Sequence, residues 1–357
     1  MGCRPPFCAV SRIPRRRADR TLGAQYAGEG TIPELTGFLY ACAVNGTAGL
    51  FILFQIQKEC AMLDVCLPGT GGTVPKIERY LACCYMRYNG CGLLIDCGEG
   101  TQLAIKKAGF SLGKISTILL THFHADHCSG LPGLLLSMGN EGHTEPLLIC
   151  GPKGVDEVVK SLMYICQELP FRVQTRVLGD FDTLERDGFS VTSFEVKHSC
   201  ACLGYDVRIN RAGRFDVAKA KRNGVPVDLW SRLQKGEEID GYTRDMVLGE
   251  SRRGIHVTYS TDTRPCEIIS TMAADADLLI CEGMFEGEKL ERAKESSHMT
   301  VVEAANLAVD SGCAEMWLTH YSPALPDPLV CIEEAQAIFP NTIAAVDGQV
   351  KTIRFED

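Results

Sequence analysis

The sequence predicts an α/β fold from about Met62 to the C-terminus, on three observations. Short apolar runs of strand length recur along the chain. Stretches with apolar residues at helical spacing fall between some of them. Histidine and aspartate stand repeatedly just after the apolar runs, where a strand would end.

The predicted strands are Leu63–Leu67, Gly92–Ile95, Ile115–Leu120, Pro146–Cys150, Phe189–Phe194, Ile255–Tyr259, Asp277–Cys281 and Glu315–Leu318. The predicted helices are Gly154–Gln167, Met299–Asp310 and Leu329–Ile338. Thr300 followed by Glu303 fits a capping box at a helix start. At 357 residues and 45% hydrophobic content, the chain has material for two ordinary domains or one large α/β domain with additions.

Residues 1–61 look foreign to this rhythm. A basic run, Arg12, Arg15, Arg16, Arg17 and Arg20, precedes an uncharged stretch from Leu35 to Ile56. That order resembles a signal-anchor. Thr36, Gly37, Asn45, Gly46, Thr47, Gly49 and Gln55 make it a poor span, so no stable membrane association is expected. The segment reads as a dispensable N-terminal extension, with residues 62–357 as the folded domain. The 18 cysteines include no Cys-x-x-Cys pair, which points to buried thiols in a reducing cytoplasm. A formal charge of −9 argues against a protein that coats nucleic acid indiscriminately.

The strongest chemical signal is Thr121-His122-Phe123-His124-Ala125-Asp126-His127, directly after a predicted strand. Three of the chain's eight histidines fall in these seven residues. Two imidazoles two residues apart can turn toward one ion, leaving Asp126 and His127 for a second. Imidazole with some carboxylate suits zinc better than magnesium. His198, Asp262 and His320 stand at later strand ends and can converge on the same edge.

His122-x-His124-x-Asp126-His127 resembles the signature of the metallo-β-lactamase superfamily. Asp96-Cys97-Gly98-Glu99-Gly100-Thr101-Gln102, Gly130-Leu131-Pro132-Gly133-Leu134-Leu135 and Thr261-Asp262-Thr263-Arg264-Pro265 are similar to its ribonuclease Z branch. The resemblance implies a four-layer αβ/βα sandwich with a protruding arm. It implies two zinc ions per subunit, one on His122, His124 and His198, the other on Asp126, His127 and His320, with Asp262 bridging. Asp96 then orients a ligand histidine or serves as a turn residue before Gly98. Asp126 is implied as a proton acceptor. His298, in His298-Met299-Thr300, is implied as acid or phosphate contact.

Tyr205–Glu250 interrupts the αβ rhythm and is rich in Arg208, Arg211, Arg214, Lys219, Lys221 and Arg222. Such a run is ordinarily a solvated helix face. The resemblance instead implies an arm that grips tRNA, with Arg208, Arg211, Arg214 and Arg222 as phosphate contacts. In family homodimers that arm serves the partner subunit's site. The expected substrate is therefore the 3′ end of precursor tRNA. Three details depart from the family pattern: Val227-Asp228 where the arm has Gly-Pro, Pro75-Lys76-Ile77-Glu78-Arg79-Tyr80 in the first loop, and no arginine after Ser322. None bears on metal ligation. A small-molecule phosphodiesterase on the same site, and an RNA-binding protein with structural metals, are the competing readings.

Overall fold

The computed structural model describes residues 62–357 apart from Gln167, Pro326 and Asp357. The predicted extension over 1–61, with its possible span, lies outside the described residues. The first sheet takes β1 (Met62–Gly69), β2 (Cys83–Tyr88), β3 (Cys91–Ile95), β4 (Ile115–Leu119), β5 (Leu147–Gly151) and β6 (Val173–Val177). The second takes β7 (Thr183–Arg186), β8 (Phe189–Glu195), β9 (Leu203–Arg211), β10 (Arg252–Tyr259), β11 (Leu278–Glu282), β12 (Met316–Thr319) and β13 (Thr342–Ala344). The last strand, β14 (Gln349–Arg354), returns to the first sheet beside β1.

The sheet orders are β14-β1-β2-β3-β4-β5-β6 and β13-β12-β11-β10-β9-β8-β7. Each is antiparallel at one side and parallel at the other, from β3 to β6 and from β10 to β13. Parallel strands carry their C-terminal ends to one edge, and that edge is where ligands of α/β sheets bind. Strand β8 runs antiparallel to β9, which runs antiparallel to β10, so the end of β8 reaches the same edge.

The helices are α1 (Thr101–Lys107), α2 (Ala125–Cys128), α3 (Leu131–Asn140), α4 (Val155–Met163), α5 (Val217–Arg222), α6 (Trp230–Gln234), α7 (Glu267–Met272), α8 (Leu290–Ser296), α9 (Val301–Ser311) and α10 (Ile332–Gln336). Alternation along the strands sorts the core into layers. Leu63, Val65, Leu67, Met86 and Leu93 meet Val191, Tyr205, Val207, Val257 and Trp317 between the sheets. Cys66, Tyr85, Leu94 and Leu120 point the other way, under Leu131, Leu134, Leu135 and Val159 of α3 and α4. Leu279, Cys281 and Leu318 lie under Ile269 of α7 and Val301, Ala305 and Ala308 of α9. Both faces of each sheet are covered, which is why the strands read as nearly continuous apolar runs. The layers are helix, sheet, sheet, helix, as the resemblance implied.

All eight predicted strands are present, with no end shifted by more than three residues. The helix predicted over Met299–Asp310 is α9, and its capping box forms between Thr300 and Glu303. The helix predicted over Gly154–Gln167 stops at Met163. That over Leu329–Ile338 divides into a 3-10 turn, Pro328–Cys331, and α10.

The arm requires a correction. The segment expected from Tyr205 begins instead after Arg211, because Leu203–Arg211 is a central strand of the second sheet with Tyr205, Val207 and Ile209 in the core. Residues 212–251 lie between β9 and β10. This segment packs on a small core of its own, Ala220, Val225, Leu233, Val247 and Leu248, flanked by Phe215 and Trp230. Its two ends cross at a neck where a Cβ on Gly213 would run into the Gly249 carbonyl, and where Gly249 N donates to Arg214 O at 2.8 Å.

Candidate metal centre at the strand ends

Three strand ends turn sharply to present their side chains. Asp96 follows β3 with φ 63°, Thr261 lies two residues past β10 with φ 58°, and His320 follows β12 with φ 56°. A non-glycine residue in this region carries about 1 kcal/mol or more of strain, which persists where surrounding structure over-determines it. Behind these turns the loops pack closely: a Cβ on Gly98 would run into the Asp126 carbonyl, and one on Gly130 into the Gly98 carbonyl. Both glycines belong to the two motifs quoted above.

The segment after β4 carries the seven-residue motif, His122 and His124 in the turn and Asp126 and His127 on α2. Thr121 N and Oγ1 donate to Asp96 Oδ1 at 2.8 and 3.0 Å. Asp96 Oδ2 lies 2.8 Å from His127 Nδ1. The buried Asp96 thus fixes the ring of His127 and leaves Nε2 facing the cluster. This geometry favours the orienting role over that of a turn residue.

Two groups of potential donors result. His122 Nε2 lies 3.1 Å from His124 Nδ1, and His198 Nε2 lies 3.3 Å from the same atom. In the second group, His127 Nε2 is 3.3 Å from His320 Nε2 and 3.5 Å from Asp126 Oδ2, and His320 Nε2 is 3.3 Å from Asp126 Oδ2. Asp262 Oδ2 stands between the groups, 3.2 Å from both His127 and His320 and 3.8 Å from His122. All seven residues named from the sequence therefore meet at one edge, with donor atoms close enough to share an ion within each group.

The chemistry of this donor set fits cations. Imidazole nitrogens 3.1–3.3 Å apart repel through their lone pairs unless a proton or an ion lies between them. Asp262 Oδ1 and His320 Nδ1 are buried without a hydrogen-bond partner. Burial pushes the His122 imidazole down to about 2, aided by neighbouring His127. Burial also lowers His198. Burial works against the Asp126 carboxylate, but hydrogen bonds from His127 and His320 outweigh it and hold Asp126 well below the usual range. Neutral imidazole and ionised carboxylate are the forms that ligate metals; His127 is shifted the other way, raised against its burial by the Asp262 and Asp96 carboxylates, and a cation would take the place of its proton.

His298 sits beside the cluster, its ring 5.1 Å from that of His198 and 5.3 Å from that of His320. Its Nδ1 faces Glu282 Oε1 and Oε2 at 3.1 and 3.2 Å. Glu282 also accepts from Thr263 N at 2.6 Å. Arg264 donates to the His298 carbonyl and bridges to Glu303, tying the Asp-Thr-Arg-Pro loop to the start of α9. Sequence reasoning missed Glu282. The signal was available, since it is the first charged residue after an apolar strand, the position that Asp96 also occupies.

Of the four basic residues assigned to the arm, two do not lie there. Arg208 is on β9, with Nε 2.7 Å from Asp206 Oδ2 and Nη2 3.1 Å from His256 Nε2. Arg211 ends β9 and stacks on Phe355 at 4.9 Å. Arg214 and Arg222 lie in the arm and are exposed.

Proteins named ribonuclease Z are similar to this chain over nearly their whole length. That of Lachnospira eligens is 49% identical over 302 residues, covering 83% of this chain and 99% of that protein. That of Clostridium acetobutylicum is 44% identical over 311 residues, covering 83% and 100%. This chain belongs to the ribonuclease Z family. A family model described as Anti-Pycsar protein Apyc1 also matches residues 63–209. Among solved structures, human tRNase Z, short form, superposes with a TM-score of 0.61 at 23% identity, covering 82% of this chain and 100% of that one. The metallo-β-lactamase fold protein YhfI from Bacillus subtilis does so with a TM-score of 0.61 at 19% identity, covering 82% and 99%. These two share the fold. Among the described residues, no helix is long and apolar enough to cross a membrane.

Proposed function

We propose that this chain is a zinc-dependent endoribonuclease that removes the 3′ trailer from precursor tRNA and leaves a tRNA 3′-hydroxyl. The observation that carries this reading is the convergence of seven His and Asp side chains into two groups sharing Asp262, in a chain 49% identical to a ribonuclease Z. His122, His124 and His198 would hold one ion, Asp126, His127 and His320 the other, and Asp262 both. When bound, such a pair supplies Lewis acidity toward a phosphate and a water made nucleophilic near neutral pH.

The chain's own groups supply the rest. The Asp126 carboxylate, oriented by Thr73 N at 2.6 Å, accepts the proton of the attacking water. As the bond from phosphorus to the ribose 3′-oxygen breaks, His298 donates a proton to that oxygen. Burial opposes a charged His298, but Glu282 more than offsets it and raises the imidazole to about 9. Glu282 thus favours the protonated imidazole, the form an acid needs. The products are a 3′-hydroxyl and a trailer with a 5′-phosphate. Arg214 and Arg222 on the arm would hold tRNA phosphates away from the scissile bond. The fourteen described cysteines are all free thiols, in keeping with a cytoplasmic protein. A homodimer with the arm serving the partner's site completes the reading.

Cleavage of precursor tRNA compared with bis(p-nitrophenyl) phosphate tests it. Efficient turnover of the first with a free 3′-hydroxyl is expected, and turnover of the small diester alone would overturn it. The acid role gives a sharper prediction. Glu282→Gln is expected to lower kcat on precursor tRNA by on the order of 10²-fold. It should change hydrolysis of bis(p-nitrophenyl) phosphate far less, because nitrophenolate leaves without a proton. Protonated His298 is lost as pH rises through its pKa, and Glu282 raises that pKa. The falling alkaline limb of the rate on RNA should therefore move to lower pH in Glu282→Gln. Bound cations push both proteins down alike, so the displacement between them is the readout. Equal losses on both substrates with an unmoved limb would refute the role.

A further inference from the structure

The loop that delivers His198 carries a second donor. It runs from the end of β8 to the start of β9 as Val196-Lys197-His198-Ser199-Cys200-Ala201-Cys202. Val196 N donates to Cys202 O at 3.1 Å, closing the loop, and Leu203 N donates to Thr121 O at 2.9 Å, fastening it to the segment that bears His122 and His124. The backbone thus fixes Cys200 beside the three-histidine group. His198 and Cys200 stand two residues apart, as His122 and His124 do, a spacing that lets an extended loop present both side chains on one side.

Cys200 Sγ lies 3.9 Å from His124 Nε2, the ring nitrogen across from the Nδ1 that faces His122 and His198. One donor atom from each of His122, His124, His198 and Cys200 can be chosen so that all four lie within 4.8 Å of one another. Zinc–nitrogen and zinc–sulfur bonds of about 2.0 and 2.3 Å put neighbouring donors roughly 3–3.5 Å apart, so Sγ must close by about 1 Å to join the histidines and Asp262 around one ion. A turn about the Cα–Cβ bond is the adjustment available to an exposed side chain. Among the described residues Cys200 is the exposed cysteine, the others being buried or half-buried.

We propose that Cys200 is a sulfur ligand to the ion held by His122, His124 and His198. This rests on the reading of that group as a metal site. Ligation forms a sulfur–metal bond, and the thiol proton passes to solvent. A thiolate among imidazoles softens the donor set, favouring zinc or cobalt over magnesium or manganese at this position.

The full-length protein is stripped with a chelator and titrated with Co²⁺, alongside Cys200→Ser. The expected result is a near-ultraviolet sulfur-to-cobalt charge-transfer band in the parent protein that is lost in Cys200→Ser, with cobalt still bound through the histidines. As an independent measurement, iodoacetamide should alkylate Cys200 in the stripped protein and not in the cobalt-loaded one, read by peptide mass spectrometry. Cobalt bound with no charge-transfer band, or a band that survives Cys200→Ser, overturns the ligand assignment and leaves the histidine site standing. Failure of the parent protein to bind cobalt at all overturns the metal reading, and the proposal with it.

Discussion

Asp262→Ala is expected to lose most bound zinc and to reduce hydrolysis of both RNA and small diesters by on the order of 10³-fold or more. Oδ2 of this buried carboxylate lies 3.2 Å from His127 and His320 and 3.8 Å from His122. It is the acid that faces both groups of donors. Burial works against its charge, but His320 and His127 hold its pKa well below the usual range. Removing it leaves the two groups with no carboxylate shared between them, Asp126 facing only His127 and His320. Metal content by plasma mass spectrometry, measured with the two rates, checks this. Asp262→Asn, which keeps the shape and removes the charge, guards against simple misfolding and should lose nearly as much. Full zinc loading at a normal rate in either variant would contradict the bridging role.

Deleting the arm is expected to separate the substrates. Residues 214–249 can be replaced by a short Gly/Ser linker, because Gly213 and Gly249 already cross at the neck and the arm's apolar cluster is its own. Precursor-tRNA cleavage should then suffer mainly through KM, by on the order of 10²-fold, while hydrolysis of bis(p-nitrophenyl) phosphate stays nearly unchanged. A small diester cannot span the arm and the metal centre, and a folded tRNA can. Reversing charge at Arg214 and Arg222 should act more mildly and reduce the salt dependence of RNA binding. Arg211 and Arg208 are poor choices for this test, since both belong to β9. Unchanged tRNA cleavage after the deletion would reduce the basic run to a solvated helix face.

The metal centre was legible in the sequence because its determinants are local or stand at predictable places. His122, His124, Asp126 and His127 share one short segment, and Asp262 and His320 stand one to three residues past apolar strands. Glu282 obeyed the same rule and was passed over because it caps a strand with no neighbouring histidine in sequence. Cys200 was passed over because its meaning depends on a loop fastened to Thr121, a contact between segments 80 residues or so apart in sequence. Strand β2 lacked β-branched residues, yet Asn89-Gly90 after it, with φ 48° and 80°, is the hairpin turn its composition announces. Strand β9 was hidden by its charge. Tyr205, Val207 and Ile209 alternate with Asp206, Arg208 and Asn210, a period-2 pattern that should have outweighed the basic count. Edge strands β6 and β7 expose much of their surface and carry little apolar signal.

Zinc content and precursor-tRNA cleavage can be followed together as chelator-stripped protein is titrated with zinc. Stripped protein should not cleave, the rate should reach its full value only as content approaches two ions per chain, and the tRNA product should end in a 3′-hydroxyl. Full-rate cleavage without metal, or a protein that binds two ions and leaves precursor tRNA intact, would contradict the proposed zinc-dependent cleavage.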